Sequence, residues 1–131
     1  IRLSEFVRRK PDKDILLSVI IRKGKRQFRY DSVRRTKTDF PVIACAVVTG
    51  IVHGRESWYI SVGARPMKAA LLEKHWEIPD DASEEEIGRY AEEAASEFTY
   101  GTNMRGSAEY RRHLTEVLLR REISSILAER R

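Results

Sequence analysis

Apolar and polar positions alternate most clearly between residues 42 and 62. Val42, Ala44, Ala46 and Val48 share one parity and Ile43, Cys45 and Val47 the other. A strand apolar on both faces is therefore predicted over 42–52, with a cover expected on each side, and Ala44 and Ala46 are small enough for a helix to lie close. His53-Gly54-Arg55-Glu56 reads as a hairpin turn. Residues 57–62 return with Trp58, Ile60 and Val62 on one face and Tyr59 and Ser61 on the other. Upstream, after an extended lead-in and a turn at Pro11-Asp12-Lys13, residues 15–21 form a β-rich run. A polar turn around Gly24 leads to a further strand over 27–33. Downstream the period changes. Pro66 suits a first helical position, and Met67, Ala70, Leu71 and Lys74 predict a short helix that stops before Pro79. Ser83 and Glu86 form a capping box for a second helix with the stripe Ile87, Tyr90, Ala91, Ala94 and Phe98. After a loop over 100–105, Gly106 and Ser107 open the third and longest helix. Its stripe Tyr110, Leu114, Val117, Leu118 and Arg121 is expected to lie on the sheet. Leu119, Ile123, Ile126 and Leu127 point roughly the opposite way, so the tail bends, or this second face meets another element or another subunit. The fold class is α+β: a three- to four-stranded antiparallel sheet with three helices packed on one face, strands first and helices after.

At 131 residues the chain suits one domain with a real core. No apolar run reaches the roughly 18 residues of a membrane span, so no membrane partner is expected. The start, Ile1-Arg2-Leu3, carries neither an initiator Met nor a signal-peptide core, and the expectation is a piece of a longer chain. The lone Cys45 reads as a buried, inert thiol and the compartment as reducing, hence cytoplasmic. His53, His75 and His113 lack ligand spacing, so no metal site is expected. Residues 1–40 hold 13 Lys/Arg against 5 Asp/Glu, while the other 91 residues are net −3. That asymmetry raises a small basic nucleic-acid-binding module as an alternative. No aromatic-interleaved or recognition-helix pattern accompanies the charge, and a solvated edge is the preferred reading.

No self-sufficient active site is written in the chain, and no catalytic residue is assigned. Glycine-rich nucleotide fingerprints and H-E-x-x-H are absent, Glu92 and Glu93 read as solvation, and Ser107 and His113 do not face each other on their helix. Three polar constellations remain. Arg34 to Asp39 precedes the central strand. Gly63-Ala64-Arg65-Pro66-Met67-Lys68 follows the returning strand, where backbone N–H groups and cations suit anionic or electron-rich ligands. Tyr110-Arg111-Arg112 opens the last helix, with Tyr110 expected in the core and an arginine bracing the sheet or a loop.

Taken in order, Arg35-Thr36-Lys37-Thr38-Asp39-Phe40-Pro41-Val42, Val62 to Ala69, and Arg105-Gly106-Ser107-Ala108-Glu109-Tyr110-Arg111-Arg112 resemble the C-terminal domain of the FAD-binding (medium) subunit of molybdenum hydroxylases, the xanthine dehydrogenase and carbon monoxide dehydrogenase group. The resemblance covers about residues 27–131. Residues 1–26 resemble the segment closing the preceding FAD-binding domain, with Phe6 and the 15–21 run as recurring features. It implies a β-then-α domain whose parent carries FAD. Electrons would reach that FAD from an iron–sulfur subunit fed by a molybdopterin subunit. It further implies that the fragment lacks the glycine-rich FAD-pyrophosphate segments, is inactive and colourless alone, and supplies one wall of the isoalloxazine pocket. The cofactor-binding candidates are Arg35, Asp39, Gly63, Ala64, Arg65 and Lys68. The implied partners are the N-terminal FAD-binding domain of the parent and the two other subunits. A homo-oligomer through the terminal helix is a further expectation from its second apolar face.

Overall fold

A computed structural model describes residues 1–10, 13–21, 23–52 and 54–130, with the side chains of residues 4, 52 and 73–75 left aside. A short helix α1 (Leu3–Arg8) leads into four strands, β1 (Arg26–Val33), β2 (Ile43–Val52), β3 (Arg55–Gly63) and β4 (Ala70–Trp76). Two long helices follow, α2 (Glu84–Ser96) and α3 (Ala108–Ala128). The strands form one antiparallel sheet in sequence order. The α+β class and the order of strands before the long helices match the expectation.

The β2–β3 hairpin forms where alternation predicted it. Gly54, at φ 77°, supplies the left-handed residue its turn requires; His53 of the predicted turn, like Pro11 and Asp12 of the earlier one, lies outside the described residues. Ile43, Cys45 and Val47 on β2 and Trp58, Ile60 and Val62 on β3 point to one face and are buried there. The two long helices cover that face. α2 is closed by the predicted capping box: Ser83 Oγ accepts from the Glu86 amide while the Glu86 carboxylate accepts from the Ser83 amide at 2.8 Å. Those bonds hold the Glu86 carboxyl below its ordinary pKa.

The lead-in expected to be extended over 1–13 instead holds the short helix α1 at Leu3–Arg8; beyond it, four expectations need correction. Residues 67–74 are not helical, because Ala70, Leu71 and Leu72 pair with Val62, Ser61 and Ile60 as β4. The free edge of β3 demands a partner, and the same residues read equally well with period two. Described residues 13–21 form no strand; their apolar side chains lie exposed, with no neighbouring strand to pair with. The three helices do not share one face. α1 borders a groove with Ser61 and Leu71, on the side of the sheet away from α2 and α3. Consequently Ala44 and Ala46, whose parity is that of Ser61, have no helix above them, and the doubly covered β2 is covered fully on one side only.

The fourth correction concerns α3. Tyr110 is 46% exposed rather than core, and Arg121 is exposed. The buried face instead runs through Arg111, Thr115, Leu118, Leu119, Glu122, Ile123, Ile126 and Leu127. The second apolar stripe thus packs within the chain, since α3 lies against β1, β2 and α2 together. It is not free to serve a homo-oligomer. At the hairpin end of the sheet the second residue after α3 locks it down. Arg130 pairs with Glu56 and with Asp80 (2.7 Å), donates to Gln27 Oε1 (2.6 Å) and Thr49 Oγ1 (3.0 Å), and lies 5.2 Å from the Trp58 ring centroid.

Candidate functional site

The three constellations meet at the other end of the sheet. β1 ends there, β2 begins there, and the β3–β4 connection and the α2–α3 loop both close over it. Arg111, from the first turn of α3, holds the arrangement together. Only 1% of it is exposed. Its Nε donates to the Val42 carbonyl at 2.8 Å, Nη1 to the carbonyls of Gly101 (2.6 Å) and Gly106, and Nη2 to Asn103 Oδ1 at 2.6 Å. Its acceptors in this cage are neutral, so burial, helped by the nearby Arg105 charge, pulls its pKa down. The planar fork of guanidinium donors suits it to bind several loop carbonyls at once. Ser107 caps the helix that carries it, accepting from the Tyr110 amide at 3.1 Å. Gly106 is closely packed: a Cβ there would lie 3.2 Å from the Tyr110 ring and 3.3 Å from Val42, so either neighbour would have to give way.

On one side of this brace, Arg65 ties the β3–β4 connection to the α2–α3 loop. Its Nη1 donates to the Thr99 carbonyl (2.6 Å), its Nε to the Lys68 carbonyl (3.2 Å), and its own carbonyl accepts from the Gly101 amide (2.6 Å). The two loops approach so closely that a Cβ on Gly101 would sit 2.9 Å from Pro66 Cδ. Ala64 takes the left-handed conformation at φ 58°, a strain of about 1–2 kcal/mol for a residue with a Cβ. Lys68 reaches away from the sheet and donates to the carbonyls of Val7 (3.1 Å) and Arg9 (2.8 Å), fastening the end of α1. Between α1 and the sheet lies a groove of about 570 Å³, lined by Leu3, Val7, Ala69, Ala70 and Leu71 and rimmed by Arg8, Arg65 and Lys68.

On the other side, Arg35 donates to the Met104 carbonyl (3.4 Å), and Asp39 pairs with Arg105 (3.6 Å) while accepting from the Phe40 amide (2.7 Å). Arg105 stacks over Phe40, 5.5 Å from its centroid, and its buried Nε has no hydrogen-bond partner among the described residues. The six sequence candidates thus fall into two groups, Arg35 with Asp39 and Gly63 with Ala64, Arg65 and Lys68. The α2–α3 loop bridges the groups. The arginine brace foreseen at the opening of α3 is Arg111. Sequence reasoning missed Gly101, Asn103 and Phe40, and also Leu3 and Val7. Gly101, a glycine directly beside Tyr100 in a loop, was a signal for close backbone approach.

Among the described residues no group of His, Cys, Asp and Glu can hold a metal. Cys45 is buried, and its thiol is pushed up to about 12 by burial and then by Glu122, which leaves it unreactive. The loop end gathers Arg35, Asp39, Arg65, Lys68, Arg105 and Arg111 around loop backbone carbonyls. It offers fixed cations, oriented backbone and an apolar groove. The chain belongs to the family of CO dehydrogenase flavoprotein C-terminal domains, which matches residues 28–126.

Solved structures agree on the fold. Quinoline 2-oxidoreductase from Pseudomonas putida 86 matches with a TM-score of 0.67 at 19% identity, over 81% of this chain and 38% of that one. CO dehydrogenase from Oligotropha carboxidovorans gives 0.63 at 22% identity, over 79% and 37%. Carbon monoxide dehydrogenase from Hydrogenophaga pseudoflava gives 0.57 at 19%, over 76% and 36%. The chain thus spans well under half the length of the solved chains it matches. Among curated proteins none matches. No described helix is long and apolar enough to cross a membrane.

Proposed function

We propose that this chain is the C-terminal domain of the FAD subunit of a molybdenum-hydroxylase-type oxidoreductase. In that setting it lines the flavin pocket and contacts partner subunits as electrons pass from iron–sulfur clusters to FAD. Residues 1–26 then close the preceding FAD-binding domain, residues 27–131 form the domain itself, and the parent works in the cytoplasm beside iron–sulfur and molybdopterin subunits. The observation that carries this reading, beyond family membership, is the convergence of the 35–39 loop and the Gly63–Lys68 turn on one end of the sheet, both tied to a single bridging loop.

The residues present fit the edge of a flavin ring and do not fit its pyrophosphate. An apolar groove with cations already fixed to backbone carbonyls suits a flat, electron-rich ring system, whereas no glycine-rich phosphate cradle exists in the sequence. The flavin, when bound, supplies the redox chemistry. Arg65, Lys68, Arg35 and Asp39 act by position, presenting fixed charges and oriented amides and excluding water. Because Arg65 and Lys68 are already hydrogen-bonded, they need little reorganisation as charge develops nearby. The nucleic-acid alternative is disfavoured by the same geometry. Arg29, Arg34 and Arg35 from the basic third are engaged with Glu129, with Ser32 and the Asp39 carbonyl, and with the Met104 carbonyl.

The test is the visible spectrum of two purified proteins. The 131-residue chain should be colourless, and the full-length parent should carry flavin absorbance. A parent that binds no FAD would remove the proposal.

A further inference from the structure

The seam between β1 and α3 is laced by favourable polar pairs except at one place. Gln27, Arg29 and Asp31 of β1 pair in register with Thr49, Val47 and Cys45 of β2, which are buried under the helices, so all three lie on the helix side. Gln27 accepts from Arg130 Nε at 2.6 Å, and Arg29 pairs with Glu129 and donates to Ser125 Oγ at 2.9 Å. At the third position the pattern breaks, because Asp31 faces Glu122, a second carboxylate. Glu122 is buried, and among the described residues neither of its oxygens makes a hydrogen bond of full geometry. Its surroundings offer no cation. β1 presents the Asp31 carboxylate and, loosely, the Asp31 backbone N–H, while β2 presents the Cys45 thiol, which burial keeps protonated. The Thr115 hydroxyl on α3 already donates to the Arg111 carbonyl at 2.9 Å, and the face that α2 buries is Ile87, Ala91, Ala94 and Ala95. A carboxyl so placed is tolerated as the neutral acid and is costly as the anion.

We propose that Glu122 is a pH-sensitive latch on β1: the neutral acid lets the end of that strand lie closed on α3, and the anion beside Asp31 releases it. The release is local for two reasons. β1 is an edge strand, paired to β2 alone, and Asp31 stands two residues from its end at Val33. α3 itself stays in place, since the Arg111 cage and its packing against α2 do not involve β1. Beyond Val33 the chain enters the loop that carries Arg35 and Asp39. That loop is closed at its base by the Val42 amide on the Val33 carbonyl at 2.7 Å, and Arg35 reaches the Met104 carbonyl only at 3.4 Å. Release of the strand end therefore frees the loop. The inference rests on the functional reading above for what the loop serves, and on the seam alone for the latch.

Hydrogen–deuterium exchange of the 131-residue chain, read by peptide and corrected for the intrinsic rate at each pH, tests it. With the Glu122 pKa at about 7 when closed and an ordinary 4.5 when released, the opening constant of residues 29–40 should rise about 70-fold from about pH 5 to about pH 8. Residues 84–96 on α2 should rise far less, and Glu122→Gln should abolish the rise at 29–40. An equal rise on α2 would mean that the whole domain loosens, and overturns the latch. A flat profile at 29–40, or the wild-type rise in Glu122→Gln, overturns it as well. Should that variant fail to fold, the comparison of 29–40 with 84–96 in the wild type still decides. A flat profile in a chain whose parent carries FAD refutes the latch alone, whereas a parent without FAD refutes the functional reading and leaves the latch to its own exchange data.

Discussion

Replacing Glu122 by Gln should flatten the pH dependence of this domain's stability. Glu122 sits on the buried face of α3, 4% exposed, and among the described residues neither carboxylate oxygen makes a hydrogen bond of full geometry, the Asp31 backbone N–H approaching it only loosely. Asp31 on β1 and Cys45 on β2 face it, and no described cation pairs with it. Burial is the main cause that pushes its pKa from an ordinary 4.5 to about 7; the Asp31 backbone N–H opposes this and the Asp31 carboxylate adds to it. The folded state therefore holds the proton more tightly than the unfolded chain does. The stability this confers is complete below about pH 4.5 and is lost as pH rises through about 7. A difference of that size corresponds to about 3 kcal/mol. A Gln side chain has nearly the same shape and cannot ionise. Whatever its unpaired amide costs is the same at every pH, so the readout is the change with pH and not the absolute stability. Urea unfolding followed by circular dichroism, from about pH 5 to about pH 8, gives that change for both proteins. Other carboxylates titrate equally in both and cancel in the difference. The wild type should lose about 2.5 kcal/mol relative to Glu122→Gln across the interval, most of it between pH 5 and 7. Parallel curves would show that the buried carboxyl finds charge stabilisation absent from this geometry, and the reasoning would fail.

Three further outcomes follow from the packing. Arg111→Lys keeps the charge but loses the fork that serves three carbonyls and Asn103, and should cost about 3 kcal/mol, with faster amide exchange confined to residues 99–106. Gly101→Ala forces a Cβ to 2.9 Å from Pro66 and should destabilise by about 1–3 kcal/mol in thermal melts, whereas Gly88→Ala on α2, with open space around it, should stabilise by about 0.5–1 kcal/mol. Arg130→Ala leaves Glu56 and Gln27 without their partner and uncovers the Trp58 ring, and should cost about 2 kcal/mol with a visible change in tryptophan fluorescence.

The strands that pack against the helices were readable because their patterns had one interpretation. Trp58, Ile60 and Val62 alternate with polar neighbours, and Ser83 with Glu86 is a helix start that few other structures use. β4 was not readable in the same way. Met67, Ala70, Leu71 and Lys74 satisfy a helical period, while Ala70 and Leu72 satisfy a period of two, and only the open edge of β3 decides between them. The face of α3 was misjudged because hydrophobicity alone rotates the helix toward Tyr110. The fold rotates it toward Arg111, Thr115 and Glu122, and Arg111 belongs inside because loop carbonyls from three directions need a donor. The candidate loops were visible as turns, each from its own glycine, proline or charge. Their meeting was not, because it depends on Gly101 and on arginines that bond to backbone carbonyls, which leave no periodic trace.

The central claim is that the loops gathered by Arg111 and Arg65 form a wall of a flavin pocket in the parent protein. A structure of the full-length parent with FAD bound measures this directly. The isoalloxazine ring should lie within about 4 Å of side chains or backbone from the Gly63–Lys68 turn, the 35–39 loop, or both. A ring enclosed entirely by other parts of the chain, with neither loop in contact, would contradict it.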